Sequence, residues 1–323
     1  MKIFRKDRLS DAAITQWLTA LRANPYVPES GYAATAVFRA RVPGADDCYF
    51  AGVNVENVDH RLSTHGEEGA IAAMVTGLGK YAEIAEGWVM GAPQNLKADK
   101  HSPAADALVS CCGKCRQQIA GFAGENVKIH YVALNGQMST TTVGAFLPEA
   151  FTLRRFSEEK KSVTKEGSAE EIENRLLRKE KQTEKEIVAW LKGIDSVDYL
   201  SKISQAVVLE LDNGCYAAGA KIEDAAFLSV NAAQSALAIA TAGFGACAIR
   251  EAWVFTKGRD GKEIPPDSFG GLTLSALQTL LQRAAHAAIP VRFLAGDGGI
   301  IRMTLSEAAR LAASGSIPLH KKP

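Results

Sequence analysis

Cys48, Tyr49, Gly52 and Glu56 recur as Cys215, Tyr216, Gly219 and Glu223, each displaced by 167 positions in a chain of 323 residues. Four matches at one displacement mark an internal duplication, and a duplicated chain folds as two similar units rather than one large one. Later pieces repeat with small shifts: Trp88-Val89 returns as Trp253-Val254, and the turn Asn135-Gly136 returns as Asp297-Gly298, each after an apolar strand. With 47% hydrophobic and 23% charged residues, the chain has enough apolar material for two cores and too little charge for a mostly disordered protein.

Within the first copy, Ser10 can cap a helix whose Ile14, Trp17, Leu18 and Leu21 fall on one face, and Pro25 and Pro28 mark its end. Strand-like stretches at 32–41 and 48–55 follow, joined through Pro43, Gly44, Asp46 and Asp47 as a hairpin. A helix is expected from His65, a strand at 88–91, a helix at 112–120 and a strand at 128–134. This alternation predicts a layered α/β fold. Residues 157–185 interleave Glu with Lys and Arg, and Ser168 and Glu171 have capping-box spacing, so this stretch reads as a solvated helical connector without a binding role. The expected organisation is an N-terminal helix at 1–24, a first domain at 25–156, a charged linker at 157–198 and a second domain at 199–323.

Several classes of function are disfavoured. A formal charge of +1 supplies no overall basic surface for tracking a polynucleotide, so no nucleic-acid partner is expected. The run 236–249 is interrupted by Gly243 and Gly245 and falls short of the roughly 20 residues a bilayer span needs, so it reads as a buried helix and its exit loop. The Gly-Asp-Gly-Gly run at 296–299 has neither the Lys-Ser/Thr pair nor the following helix of a phosphate loop and reads as a hairpin turn. The first residues show no signal-peptide core, and three of the six cysteines cluster at 111, 112 and 115 like ligands, so a reducing cytoplasm is expected.

The chemistry lies in Thr64-His65-Gly66-Glu67-Glu68 and Cys111-Cys112-Gly113-Lys114-Cys115-Arg116-Gln117, each placed where a helix begins. The exposed amides and dipole of a helix start favour a cysteine thiolate. His65, Cys112 and Cys115 would give Zn²⁺ three protein ligands, leaving the fourth tetrahedral position open as a catalytic site requires. Glu67, two residues from the histidine, is placed to move the proton of the activated water. H-x-E followed by C-x-x-C is already known as the signature of zinc deaminases. Cys111 could compete as a ligand, but the two-residue spacer favours Cys112 with Cys115. His60, His101, His130 and His286 lack ligand spacing with any partner and read as structural or surface residues.

Further segments carry a resemblance. Tyr26-Val27-Pro28-Glu29-Ser30-Gly31-Tyr32 is similar to a Y-V-P-x-S-x-F segment, Gly52-Val53-Asn54-Val55-Glu56-Asn57 to G-x-N-x-E-N, and Leu147-Pro148-Glu149-Ala150-Phe151 to L-P-x-x-F. With the zinc signature, these make the chain resemble the cytidine deaminase family, specifically its bacterial dimeric branch with a catalytic half and a degenerate half. The resemblance implies a three-layer cytidine-deaminase-like sandwich duplicated within the chain. It also implies hydrolysis of free cytidine or 2′-deoxycytidine to the uridine product and ammonia, in pyrimidine salvage. It assigns Asn54 and Glu56 to the ribose 3′-hydroxyl, Phe151 to stacking on the pyrimidine, and Tyr32 to a further substrate contact. A homodimer whose partner halves wall the nucleoside pocket is the implied assembly.

The chain departs from the family pattern at Gly66, Cys111 and the Asp59-His60-Arg61 loop near the sugar end. These keep two alternatives open: a deaminase of a modified or antibiotic aminopyrimidine nucleoside, and a zinc-stabilised relative without turnover. In the second half the displacement of 167 puts Ala232 and Gln234 where His65 and Glu67 stand, and no cysteine pair lies between Trp253 and Val291. One zinc per chain and no second active site are therefore expected.

Overall fold

The computed structural model describes residues 2–41, 47–97, 102–152, 167–258, 270–294 and 299–314. In the first half, β1 (Phe4–Arg5), β2 (Tyr32–Arg41), β3 (Cys48–Val53), β4 (Glu83–Pro93), β5 (Ala123–Val132) and β6 (Met138–Thr142) form a six-stranded sheet of order β1-β3-β2-β4-β5-β6. Its helices are α1 (Asp11–Leu21), α2 (Gly66–Leu78), α3 (Pro103–Asp106), α4 (Gly113–Phe122) and α5 (Val143–Phe146). Neighbouring strands are antiparallel except β4 and β5, which run parallel because the connection through α4 carries the chain back.

Helices cover both faces of this sheet. On β2, Thr35 donates its hydroxyl to the carbonyl of Leu18 in α1. The adjoining Ala36–Gly52 pair faces the other way, where Gly52 lies directly under α2. A Cβ at Gly52 would sit 2.0 Å from the backbone nitrogen of Ala70, so only glycine permits this approach of helix to strand. Every residue of α2 is buried, since the helix has a sheet on one side and the second half of the chain on the other.

The second half repeats the plan. It comprises β7 (Leu177–Arg178), β8 (Ser204–Leu211), β9 (Tyr216–Ala220), β10 (Ile249–Lys257), β11 (Pro290–Leu294) and β12 (Ile300–Thr304), with α6 (Ala169–Leu176), α7 (Glu184–Lys192), α8 (Ala232–Phe244), α9 (Gly270–Arg283) and α10 (Leu305–Ser314). The sheet order β12-β11-β10-β8-β9-β7 is that of the first sheet, with one parallel pair at the corresponding place, β10 and β11. Gly219 approaches α8 as Gly52 approaches α2: a Cβ there would lie 2.1 Å from the nitrogen of Ala236. The two buried helices pack on each other between the sheets. The fold is thus a duplicated mixed α/β sandwich. The run 236–249 gives the end of buried α8, its exit and the start of β10. Among the described residues no helix is long and apolar enough to cross a membrane.

Two sequence expectations need correction. First, the displacement of 167 holds through β9 but not into the next helix. Val55 bridges Thr64, whereas Ile222 bridges Val230, so the second copy is one residue shorter between these points. At the close glycine contacts Ala70 is matched by Ala236. His65 therefore corresponds to Asn231 and Glu67 to Ala233, not to Ala232 and Gln234; Gln234 corresponds to Glu68. Neither Asn231 nor Ala233 restores the metal ligand or the carboxylate.

Second, the charged stretch is not simply a solvated connector. Ser168 and Glu171 make the expected capping box on α6, but α6 buries Ile172 and Leu176, and α7 buries Ile187, Trp190 and Leu191. Between them β7 pairs with β9 as β1 pairs with β3. The charges line the outward faces, and averaging over the stretch conceals apolar residues at helical spacing. The part of this stretch at 157–166 lies outside the described residues, as do the turn residues Pro43, Gly44 and Asp46, Asp297-Gly298, and His101.

Candidate active site

Two helix starts meet at the candidate site. After β3 ends, the bridge between Val55 and Thr64 returns the chain so that His65 becomes the N-cap of α2. Glycine at 66 has a local cause, because a Cβ there would lie 2.8 Å from the carbonyl oxygen of Ala34. After β4, the chain enters α4 with Cys112 as N-cap and Cys115 in its first turn. His65 Nδ1 lies 3.4 Å from Cys112 Sγ and 3.3 Å from Cys115 Sγ. Among the described residues this is the group of His, Cys, Asp or Glu that could hold a metal ion, its three ligand atoms all within 4.8 Å of one another.

The donor set and its spacing suit zinc. With Zn–N near 2.0–2.1 Å and Zn–S near 2.3 Å, tetrahedral geometry separates nitrogen from sulfur by about 3.6 Å, close to the distances here. Hydrogen bonds from Cys115 and His65 pull the Cys112 thiol down to about 3, which favours the thiolate form that binds zinc. The complementary effects fall on its neighbours. The bond to Cys112, with burial, pushes Cys115 up, and the bond to Cys112 raises His65 against the effect of burial.

Glu67 is buried beside these groups, and desolvation raises its carboxyl above the ordinary range. Cys111 is also buried, and burial together with the charge of Glu67 pushes its thiol up strongly. It stays a neutral thiol outside the converging ligand group.

The residues expected at the sugar end occupy one adjoining segment. Asn54 accepts from the backbone nitrogen of Ala34 at 2.8 Å and donates to the carbonyl of Tyr32 at 2.9 Å, tying the end of β3 to the start of β2. Glu56 Oε2 accepts from the nitrogens of Glu29 at 2.9 Å and Ser30 at 3.2 Å. Burial works to raise the Glu56 carboxyl, but these bonds and that of the Ser30 hydroxyl outweigh it and keep the group ionised. Tyr32 packs over Gly91, where a Cβ would come within 2.9 Å of its hydroxyl. Phe151 is 55% exposed and therefore no core residue; its carbonyl accepts from Gln117 of α4 at 2.6 Å. In the 59–61 loop, Arg61 pairs with Asp59 at 2.7 Å and His60 approaches Glu29 at 3.9 Å.

Sequence reasoning missed four contributors. Glu68 Oε2 accepts from the backbone nitrogen of His65 at 2.8 Å, while its Oε1 lies 2.9 Å from Lys114 Nζ. From the second half, Gln282 accepts from Val58 N at 3.0 Å and donates to the carbonyl of Glu56 at 3.3 Å. The guanidinium of Arg283 lies 4.0 Å from the centroid of the Tyr26 ring. Lys114 was visible between the two cysteines; Gln282 and Arg283 carry no local signal, because only the fold brings them to the first half.

No family model matches the sequence. A cytidine deaminase from Sporosarcina psychrophila is 30% identical over 132 residues, which are 41% of this chain and 83% of that protein. Among solved structures, a cytidine deaminase from Burkholderia pseudomallei is 22% identical with a TM-score of 0.37, covering 44% of this chain and 100% of the other. A cytidine deaminase from Mycobacterium leprae is 22% identical with a TM-score of 0.33, covering 44% of this chain and 100% of the other.

Proposed function

The chain belongs to the cytidine deaminase family, and on that footing we propose that it hydrolyses the exocyclic amine of free cytidine or 2′-deoxycytidine, using zinc held by His65, Cys112 and Cys115. The observation that carries this reading is the convergence of those three donors next to a buried glutamate. Zinc, when bound, would supply a Lewis acid at the coordination position the protein leaves open, making water nucleophilic near neutral pH.

The chain's own groups do the remaining work. Glu67, its proton affinity raised by burial, takes a proton from water, delivers it to the pyrimidine N3 and then carries one to the departing amine. Desolvation favours the protonated carboxyl, which suits a group that must take up a proton before it delivers one. Glu56, ionised and held by backbone donors, accepts a sugar hydroxyl, and Asn54 orients the same segment. Phe151 supplies an apolar face toward the base, and Tyr32 borders the pocket from β2. The second half carries Asn231 and Ala233 at the corresponding helix start, so the proposal is one zinc per chain, in a homodimer.

The test is ammonia release from cytidine, 2′-deoxycytidine and a panel of other aminopyrimidine nucleosides, with Glu67→Gln as comparison. Glu67→Gln is expected to lose on the order of 10² to 10⁴ in kcat while keeping its zinc. Near wild-type turnover in that variant would remove Glu67 from the mechanism. Inert cytidine and deoxycytidine alongside another active aminopyrimidine would move the substrate assignment to a modified nucleoside.

A further inference from the structure

We propose that Glu68 and Lys114 are a positioning pair for the metal-ligand triad: their ion pair, buried on the Glu68 side and half-buried on the Lys114 side, ties the start of α2 to the start of α4 and so holds His65 against Cys112 and Cys115. The inference rests on the zinc reading above. Lys114 sits between the two cysteines, and its ammonium reaches Glu68 at 2.9 Å across the gap between the helices. The other carboxylate oxygen of Glu68 holds the backbone nitrogen of His65 at 2.8 Å. One side chain thus grips the histidine's own backbone and the cysteine loop together.

Capping alone does not account for a carboxylate here. In the second half, Gln234 stands at the matching place and performs the same capping: its Oε1 accepts from Asn231 N at 3.0 Å, and the Asn231 side chain accepts from Gln234 N at 2.9 Å. A neutral amide therefore suffices to start the helix. The side chain of Glu68 is 0% exposed, and a buried carboxylate is costly unless a cation pairs with it. The half that has the cysteines carries the charge and its partner, and the half without them has the neutral form. The pair is neutral as a unit, so it leaves undisturbed the balance of two thiolates and one divalent cation. What it adds over a glutamine is an electrostatic tie between the two ligand-bearing helix starts, the kind of outer contact that orients first ligands.

The test measures zinc affinity of the full chain by competition with a chromogenic chelator, and the absorption spectrum of the cobalt(II)-substituted protein. The variants are Glu68→Gln, Lys114→Met, the double substitution and Lys114→Arg. Glu68→Gln keeps the cap, as Gln234 does, yet is expected to weaken zinc binding on the order of 10- to 100-fold and to alter the cobalt spectrum. Lys114→Met should weaken it similarly, the double variant should be no worse than either single change, and Lys114→Arg should recover most of the loss. If Lys114→Met fails to fold, Glu68→Gln and the double variant decide the matter. Zinc affinity within about twofold of wild type in both, with an unchanged cobalt spectrum, would overturn the pair's role while leaving the zinc site standing. A wild-type chain that takes up no zinc would remove the site and the inference together.

Discussion

Replacing Gly52 with alanine tests whether the contact between β3 and α2 sets the position of the metal site. The added Cβ would lie 2.0 Å from Ala70 N, 2.3 Å from Gly66 O and 2.5 Å from Gly69 C, all backbone atoms that cannot turn aside as a side chain would. Reaching ordinary contact at 3.4 Å requires the helix to retreat by about 1.4 Å. Overpacking of this kind costs typically about 1–3 kcal/mol, and the rigid neighbours here put the expected loss at the upper end, about 3 kcal/mol. The functional effect should be larger than the stability effect, because Gly66 follows His65 directly and metal–ligand distances tolerate only about 0.2 Å.

Gly219→Ala is the matched comparison. Its Cβ would meet Ala236 N at 2.1 Å and Ala232 O at 2.7 Å, so it should destabilise the chain about as much. The helix it displaces, however, carries Asn231 and Ala233 rather than the proposed ligand His65 and proton carrier Glu67. Urea unfolding should therefore report similar losses for the two variants, whereas chelator competition should show zinc affinity falling on the order of 100-fold in Gly52→Ala and remaining within about threefold in Gly219→Ala. Equal zinc affinities in the two variants at equal stability, or a Gly52→Ala protein as stable as wild type, would refute the argument that this contact places His65.

Gln282→Ala removes two hydrogen bonds to the segment carrying Glu56, and at about 1 kcal/mol for each it should raise the KM for cytidine by up to about 30-fold with little change in kcat; a loss confined to kcat would contradict a role at the sugar end. Lys221→Met leaves the buried Glu223 carboxylate without the ammonium 2.7 Å away and should cost about 3–5 kcal/mol in urea unfolding, with the zinc content of the folded protein unchanged. Desolvation works to raise Glu223, but its bonds to Lys221 and Ser201 prevail and hold it below the usual glutamate value. Its stabilising contribution is therefore present above the unfolded pKa and lost as pH falls through the lower, folded one. The stability advantage of wild type over Glu223→Gln should shrink on acidification below about pH 4; an advantage that grows there would reverse the assigned sign.

The candidate ligand group and the proposed proton carrier were legible because the pattern is local: H-x-E and C-x-x-C each occupy one helix start, and the site needs only that two such starts meet. The duplication was legible as a displacement, and the strand order of both sheets agrees with it. The one-residue slip between Ile222 and Val230 was not, because a loop deletion leaves no mark on the periodicity of the helix behind it and shows only as backbone pairing. The packing of α6 and α7 was hidden by their charged outer faces, and the reach of Gln282 to Glu56 spans 226 positions of sequence.

The duplication also separates what the motif does for the fold from what it does for chemistry. Gly52 and Gly219 recur because both helices press on their strands equally closely. Glu56 and Glu223 recur with matching partners: Glu56 accepts from the nitrogens of Glu29 and Ser30, and Glu223 from those of Leu200 and Ser201. A carboxylate that closes this turn in both halves has a structural task that does not depend on a substrate. The positions that differ are the informative ones. Asn54 is matched by Lys221, whose side chain is only 2% exposed and whose ammonium lies between Ser201 and Glu223, so in the second half the groups beside the carboxylate are satisfied from within. Asn231 and Ala233 replace His65 and Glu67 on a helix start of otherwise similar form. Folding requirements alone therefore account for Gly52 and for part of Glu56, whereas His65 and Glu67 differ between two nearly identical frames, as residues retained for chemistry would.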